Sequence, residues 1–168
     1  MQALLNLTSY QYWDIAGVDG LQVAKSLFGE KVDRIAPFQS LETTLETCPC
    51  SVLRLCEGNF RVSLQADSAV FEQAIGQAQQ GKRVWIKQFA WMGAIAISES
   101  LGSMQLPQIA VPKPPHRLQG LQMNCAVPAR IDNTAILVWR HSVLEQPAYE
   151  LHAAVKDLDI LKAKLLLS

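Results

Sequence analysis

Residues 134–155 read TAILVWRHSVLEQPAYELHAAV and decide how the second half of the chain folds. Residues 136–139 are strongly β-forming. From Tyr149 to Val155, every second residue is apolar, which is typical of a strand with one face in solvent. Because Gln146-Pro147 marks a turn between these two runs, the sequence predicts a β-hairpin over about 134–155.

The register of this hairpin decides which polar side chains come together. If the chain turns at Leu144-Glu145, Trp139 pairs with Glu150 and Leu137 pairs with His152. One face then carries His141, Glu150 and His152. Two imidazoles and a carboxylate could bind a metal or exchange protons, but no accompanying motif supports this. We therefore expect a solvated sheet face, with no metal site.

A second hairpin is predicted over about 50–65. Glu57-Gly58-Asn59 separates two runs of β-forming residues there, and Gly-Asn between such runs favours a tight turn. A helix is expected next, over 67–80, with Asp67 or Ser68 as its cap and Gly81 at its end. Its apolar stripe consists of Val70, Phe71, Ala74, Ile75 and Ala78.

The remaining elements complete a fold-class prediction. With a strand at 83–87, residues 60–87 form a strand–helix–strand unit. Short helices are predicted at 19–28, with Asp19 as the cap, and at 39–46. A C-terminal helix is expected to start near Asp157 and to carry Leu158, Leu161 and Leu165 on one face, whereas 89–101 fits either a strand or a helix. The fold class is α+β (or α/β): one globular domain over residues 1–168, with a mixed or largely antiparallel sheet.

Composition excludes several classes of protein. Of the 168 residues, 49% are hydrophobic and 18% are charged, so disorder is not expected and some apolar surface is available for a partner. No apolar run reaches the roughly 18 residues that a membrane helix needs, and residues 1–7 do not resemble a secretory signal. A chain of this length needs no disulfides, so we expect reduced thiols and a cytoplasmic location.

The cysteines and glycines do not predict a cofactor. Cys48, Cys50, Cys56 and Cys125 lack the paired Cys-x₂₋₄-Cys spacing of a zinc site, so burial in the core is the preferred interpretation. The chain has no phosphate-binding Gly loop, no dinucleotide fingerprint and no Gly-x-Ser-x-Gly nucleophile motif. No metal and no cofactor are therefore predicted, and the catalytic residues of any enzyme are unknown.

Charge is unevenly distributed along a chain whose net charge is zero. Residues 82–140 hold seven Lys or Arg against two Asp or Glu. Basic residues alternate there with aromatic ones, as in nucleic-acid-binding segments. The residues involved are Lys82, Arg83, Trp85, Lys87, Phe89, Trp91, Lys113, His116, Arg117, Arg130 and Arg140. We expect Trp85 to lie in the core, and nucleic-acid binding is an alternative function.

A proline-rich basic loop is the preferred contact site. Residues 112–117 read PKPPHR, which matches the P-x-x-P-x-R pattern of polyproline ligands and also fits a stiff surface loop. Lys113, His116 and Arg117 are the predicted partner-binding residues. Because every catalytic pattern is incomplete, the sequence favours a non-catalytic binding or accessory subunit with a protein partner and no membrane span. The alternatives are a small enzyme whose site is assembled by the fold and the nucleic-acid-binding module.

Overall fold

The computed structural model describes residues 4–167, which divide into two compact units. The N-terminal unit comprises residues 8–89, and the C-terminal unit comprises residues 90–167 together with residues 4–7. All strand pairs are antiparallel and form two sheets, one in each unit. The predicted α+β class is confirmed, while the assignment of all 168 residues to one domain stays a prediction.

The described chain contains eleven strands and four α-helices. The strands are β1 (Leu4–Leu5), β2 (Tyr10–Ala16), β3 (Ser40–Leu45), β4 (Cys48–Cys56), β5 (Asn59–Gln65), β6 (Trp85–Gln88), β7 (Met92–Ser98), β8 (Ala110–Pro112), β9 (Cys125–Ile131), β10 (Thr134–Val143) and β11 (Gln146–Ala154). The helices are α1 (Gly20–Phe28), α2 (Ser68–Ala78), α3 (Glu99–Ile109) and α4 (Leu158–Leu167). Short 3₁₀ helices span Glu30–Arg34 and Val155–Asp157. No described helix is long and apolar enough to cross a membrane.

The sheet of the N-terminal unit has the strand order β3-β4-β5-β2-β6. Both predicted elements of this region are confirmed: β4 and β5 form the hairpin, and β5, α2 and β6 form the strand–helix–strand unit. Strands β5 and β6 belong to one sheet, with β2 between them. The turn of the hairpin packs closely against other backbone, because a Cβ on Gly20 would overlap the carbonyl of Gly58. Glycine is therefore required at position 20.

Helix α2 follows the predicted pattern. The carboxylate of Asp67 accepts a hydrogen bond of 3.1 Å from the N–H of Ala69, which caps the helix. Phe71 and Ile75 are buried in the core of the unit, and the ring centroid of Phe71 lies 4.8 Å from that of Trp13. The helix ends at Ala78 with Gln79 as its C-cap, so Gly81, at a φ of 69°, lies in the turn that follows and not at the predicted helix end. The hydrophobic stripe contributes to the core of the N-terminal unit.

Two predictions for the N-terminal unit were wrong in detail. Residues 39–46 were expected to be helical, but Ser40–Leu45 forms strand β3. Thr43 and Thr44 are β-branched, and pairing with β4 through a tight turn at Glu46 outweighs the local helical pattern. Asp19 precedes α1, but its side chain does not cap that helix: it accepts a hydrogen bond from the N–H of Arg83 instead.

The sheet of the C-terminal unit has the order β1-β7-β11-β10-β9-β8. Residues 89–101, which the sequence left open, contain strand β7 followed by the start of α3. Pro128 lies inside β9. The core of the unit includes Leu106 of α3 and Leu161 and Leu165 of α4. The predicted C-terminal helix is confirmed, with the expected apolar face buried.

Candidate functional site

A buried cluster of two histidines and one glutamate lies on β10 and β11. The hairpin turns at Leu144 and Glu145, both with positive φ, and pairs Trp139 with Glu150 and Leu137 with His152 as predicted. Oε1 of Glu150 accepts hydrogen bonds from Nε2 of His141 at 2.9 Å and from Nε2 of His152 at 3.1 Å. The predicted juxtaposition is therefore confirmed.

The environment of this cluster differs from the expectation of a solvated face. His141 and Glu150 have 0% of their surface exposed, and His152 has 1%. The expectation that β11 has one wet face was wrong, since Ala148–Ala153 is buried at every residue. A strand buried on both faces still alternates when polar side chains hydrogen-bond to one another, so alternation alone does not identify solvent.

The cluster is held together by charge. Burial alone would raise the pKa of Glu150, but the charge of His141 and hydrogen bonds from both imidazoles outweigh it. The pKa of Glu150 is therefore well below its ordinary value, and the carboxylate is ionised. The ring of Trp139 stacks on His141 at a centroid distance of 3.7 Å and meets His152 edge-on at 5.9 Å. These contacts fix both imidazole rings.

The arrangement favours a structural role for the three residues. Within residues 4–167, no group of three or more His, Cys, Asp or Glu side chains is placed to hold a metal ion. Nε2 of each imidazole donates to the same oxygen of Glu150, so the buried carboxylate has hydrogen-bond partners. A buried, internally bonded network of this kind gives the sheet a unique register, because a shift by one residue would leave charges unpaired.

A second charge pair, between buried Arg61 and partly exposed Asp14, lies in the N-terminal unit and was not predicted. Arg61 donates to both carboxylate oxygens of Asp14, from Nε at 2.8 Å and from Nη2 at 3.0 Å. Its guanidinium also lies 4.9 Å from the ring centroid of Phe89. Residues 61 and 14 are 47 positions apart and become neighbours only through the pairing of β2 with β5, so no local pattern identifies the pair.

A cavity of about 220 Å³ lies within the C-terminal unit, between α3 and the loop that precedes β9. Arg140 of β10 and Tyr149 of β11 form its polar part, together with Ser103 of α3. Arg140 donates from Nη1 to the carbonyl of Leu121 at 2.5 Å and from Nη2 to the carboxylate of Glu99. This site combines a fixed cation with hydroxyl groups and apolar walls.

The close packing of α3 against Tyr149 shapes this cavity. Gly102 faces the ring of Tyr149, and a Cβ at position 102 would overlap the ring. The guanidinium of Arg140 lies 5.6 Å from the centroid of the same ring, and Oγ of Ser103 lies 3.4 Å from Oη of Tyr149. Sequence reasoning included Arg140 among the basic residues but missed Ser103 and Tyr149. The one available signal was a glycine inside a helical segment.

In the sequence, the proline-rich loop of residues 112–117 comes directly before residues 118–121, which line this cavity. Lys113 and Arg117 are exposed, and His116 is half-buried. The N–H of His116 donates to the carbonyl of Lys113 at 2.9 Å, which forms a turn. Leu118, which immediately follows Arg117, is buried and lines the cavity. The structure therefore places the loop at the surface, while its role in binding stays a prediction.

The basic segment 82–140 is divided between the two units. Residues 8–89 carry eight Lys or Arg against nine Asp or Glu, and residues 90–167 carry seven against six. Folding therefore removes most of the asymmetry seen along the sequence. The prediction that Trp85 is buried was wrong: it lies on the edge strand β6, is 52% exposed, and has Nζ of Lys87 5.0 Å from its ring centroid. An edge strand has less core to cover, and Ile86 faces the core instead.

The four cysteines occupy different environments. Cys50 is buried, Cys48 and Cys125 are half-buried, and Cys56 is exposed, and all four are free thiols within the described residues. Burial, together with the nearby carboxylate of Glu42, raises the pKa of Cys50 to about 12. Burial also raises the pKa of Cys125. The preference for buried cysteines holds for Cys50 and fails for Cys56, which ends β4 at the hairpin turn.

The chain shares its fold with two enzymes of known structure. No protein-family model matches the chain, and no curated protein matches it by sequence. The glycine cleavage system aminomethyltransferase T from Bartonella henselae superimposes with a TM-score of 0.76 at 13% identity, over 98% of this chain and 45% of that chain. A chain of the heterotetrameric sarcosine oxidase from Corynebacterium sp. U-96 gives a TM-score of 0.68 at 14% identity, over 96% of this chain and 80% of that chain. The chain thus spans less than half the length of the aminomethyltransferase.

Proposed function

We propose that this chain is a non-catalytic accessory subunit that works by binding a protein partner. The observation that carries the proposal is the likeness to one chain of a heterotetrameric oxidase, which covers 96% of this chain and 80% of that chain. A chain of similar extent therefore occurs as one component of a larger enzyme. The aminomethyltransferase, in contrast, has more than twice the matched length.

Exposed apolar side chains in the C-terminal unit support partner binding. Trp91 is 71% exposed and Val155 is 51% exposed. The N–H of Val155 donates to the carbonyl of Trp91 at 2.8 Å, so the two side chains start from neighbouring backbone. Tryptophan is enriched among the residues that contribute most to protein interfaces. A large aromatic side chain left in solvent beside a second apolar one is a suitable anchor for a partner.

The basic loop is the proposed site of first encounter. Lys113 and Arg117 are both exposed, and Pro114 and Pro115 lie between them. A loop stiffened by proline loses less conformational entropy on binding than a flexible one, and exposed cations accelerate association with an acidic surface. We therefore assign Lys113, His116 and Arg117 to the rim of the interface.

Association kinetics test this proposal. The native protein is purified from its source cells, its stoichiometric partner is identified by mass spectrometry, and both are produced recombinantly. Association rates are measured in low and in high salt. The variant carrying Lys113→Glu and Arg117→Glu should associate more slowly than the wild type in low salt, and its rate should change less between the two salt concentrations. The matched control carries Lys31→Glu and Arg34→Glu, two exposed cations of the N-terminal unit. Equal association rates for all three proteins in low salt would show that the loop is not part of the interface.

Nucleic-acid binding through residues 82–140 is the second candidate, and the contact of Lys87 with the exposed ring of Trp85 favours it. Titration with a fluorescent single-stranded oligonucleotide in low salt tests this alternative. Binding that weakens after Trp85→Ala would support it, because base stacking on an aromatic ring contributes about 1–3 kcal/mol per base. The absence of binding would exclude the nucleic-acid-binding alternative, and only the accessory-subunit proposal would be left.

A further inference from the structure

We propose that the cavity beside Arg140 binds a small carboxylate ligand with an apolar tail. This goes beyond the accessory role, since it gives the chain a ligand of its own whether or not a partner is bound. The carboxylate would lie at the guanidinium of Arg140 and the hydroxyl of Tyr149, because the hydroxyl of Ser103 already donates to the carbonyl of Glu99 at 2.8 Å. The tail would lie against the apolar wall formed by Leu106, Pro107 and Leu118.

The cation is held in position before any ligand arrives. Nη1 of Arg140 donates to the carbonyl of Leu121, Nη2 donates to Glu99, and the ring of Tyr149 lies beneath the guanidinium. Each Nη carries two hydrogens, so each keeps a donor beyond the contact named here. Among the described residues, the buried Nε has no acceptor. A planar guanidinium with spare donors can bind a carboxylate through two parallel hydrogen bonds.

The size and lining of the cavity restrict the ligand. Typical sites for drug-sized molecules occupy about 300–1,000 Å³, so a cavity of about 220 Å³ accepts a smaller molecule. Its lining is more apolar than polar and includes a few polar side chains, which is the usual pattern of a ligand site. An aromatic or short aliphatic acid meets both requirements.

The surrounding charges favour an anion despite Glu99. Glu99 occupies one edge of the guanidinium, and its charge would weaken the binding of a second carboxylate. Two exposed cations, Lys113 and Arg117, lie in the chain segment that leads into the cavity wall at Leu118. Exposed cations of this kind raise the local concentration of anions around the protein.

Titration of the full-length protein with benzoate tests the site, with benzamide as the neutral ligand of the same shape. Binding is followed by two-dimensional NMR, which identifies the residues that shift. The proposal predicts that benzoate binds about tenfold or more tightly than benzamide and shifts the resonances of Ser103, Leu118 and Gly120, because charge-assisted hydrogen bonds are the stronger ones. Equal affinities, or shifts confined to other residues, would overturn it.

Variants separate this site from weak binding elsewhere. Ser103→Leu fills the cavity from an exposed position of α3, so the fold should be retained while benzoate binding falls about tenfold or more. Ser100→Leu is the matched control, because Ser100 is also exposed on α3 but does not line the cavity. Arg140→Gln should abolish the preference for benzoate over benzamide. Wild-type affinity in the folded Ser103→Leu variant would contradict the proposal even if the Arg140 variant proved unstable.

Discussion

Oε1 of Glu150 lies 2.9 Å from Nε2 of His141, and both side chains are completely buried. Breaking a buried, hydrogen-bonded pair of ionisable groups by removing one partner typically costs about 3–5 kcal/mol. We therefore predict that Glu150→Gln lowers the free energy of unfolding by about this amount. Urea denaturation measures it, with Glu145→Gln as the control, because Glu145 is exposed at the hairpin turn. A loss below about 1 kcal/mol would contradict this prediction.

Acidification should reveal the ionised carboxylate of Glu150. In the folded state the pKa of Glu150 lies below its ordinary value of 4.5, so the unfolded chain takes up a proton that the folded chain does not. The stability contributed by Glu150 is thus fully present above pH 4.5 and decreases as the pH falls below that value. The difference in unfolding free energy between wild type and Glu150→Gln should shrink as the pH is lowered. A difference that stays constant to pH 3 would contradict this assignment.

Two helical glycines should respond to alanine in opposite directions. At Gly102, a Cβ would overlap the ring of Tyr149, so Gly102→Ala should destabilise the C-terminal unit. At Gly76 of α2, a Cβ would meet nothing within 4 Å, so Gly76→Ala should stabilise the protein by about 0.5–1 kcal/mol. Thermal unfolding of both variants checks the pair of predictions. Stabilisation by Gly102→Ala would mean that α3 does not pack against Tyr149 as described.

The hydrophobic face of α2 provides another test of the fold. Phe71 is fully buried against Trp13, whereas its neighbour Glu72 is exposed. Phe71→Ala should cost about 3–5 kcal/mol, because it removes a large apolar side chain and leaves a cavity. Glu72→Ala should have little effect on the unfolding free energy. Similar thermal stability of the two variants would refute the assignment of the buried face.

Cysteine reactivity should follow exposure. Cys56 is exposed, whereas Cys50 is buried and has its pKa raised to about 12. Because the thiolate is the reactive species, a thiol reagent should modify Cys56 first and Cys50 last in the native protein. Cys56→Ser should remove the fast phase. Native mass spectrometry of the same sample tests the prediction that all four thiols are reduced and bind no zinc, since bound zinc would add its mass.

Local sequence patterns predicted both hairpins and the register of the second one. A two-residue turn fixes which residues lie opposite each other, so Leu144-Glu145 was enough to bring His141, Glu150 and His152 onto one face. For the first hairpin, Gly58-Asn59 predicted the turn but no register was derived. Cap and stripe signals likewise predicted α2, because these interactions lie within one helix.

Features that depend on distant partners were not predictable in this way. Residues 40–45 became a strand because β4 was available to pair with them, and no local preference contains that information. Burial of the imidazole–carboxylate cluster depends on what covers the sheet, not on the alternation of β11. At the cavity beside Arg140, the packing of α3 brings Oγ of Ser103 within 3.4 Å of Oη of Tyr149, which is 46 residues away in the sequence. Long-range packing determines such sites, so they appear only once the fold is known.

The size of the protein in its native extract tests the central claim most directly. The chain has a mass of 18.6 kDa. Size-exclusion chromatography in low salt, at native expression level and with detection by antibody, should place the chain in a larger assembly. That assembly should contain another protein in a constant molar ratio, and the chain should leave it when the partner is deleted. Elution as an 18.6 kDa monomer, or as an assembly of this chain alone, would contradict the proposal that it is an accessory subunit.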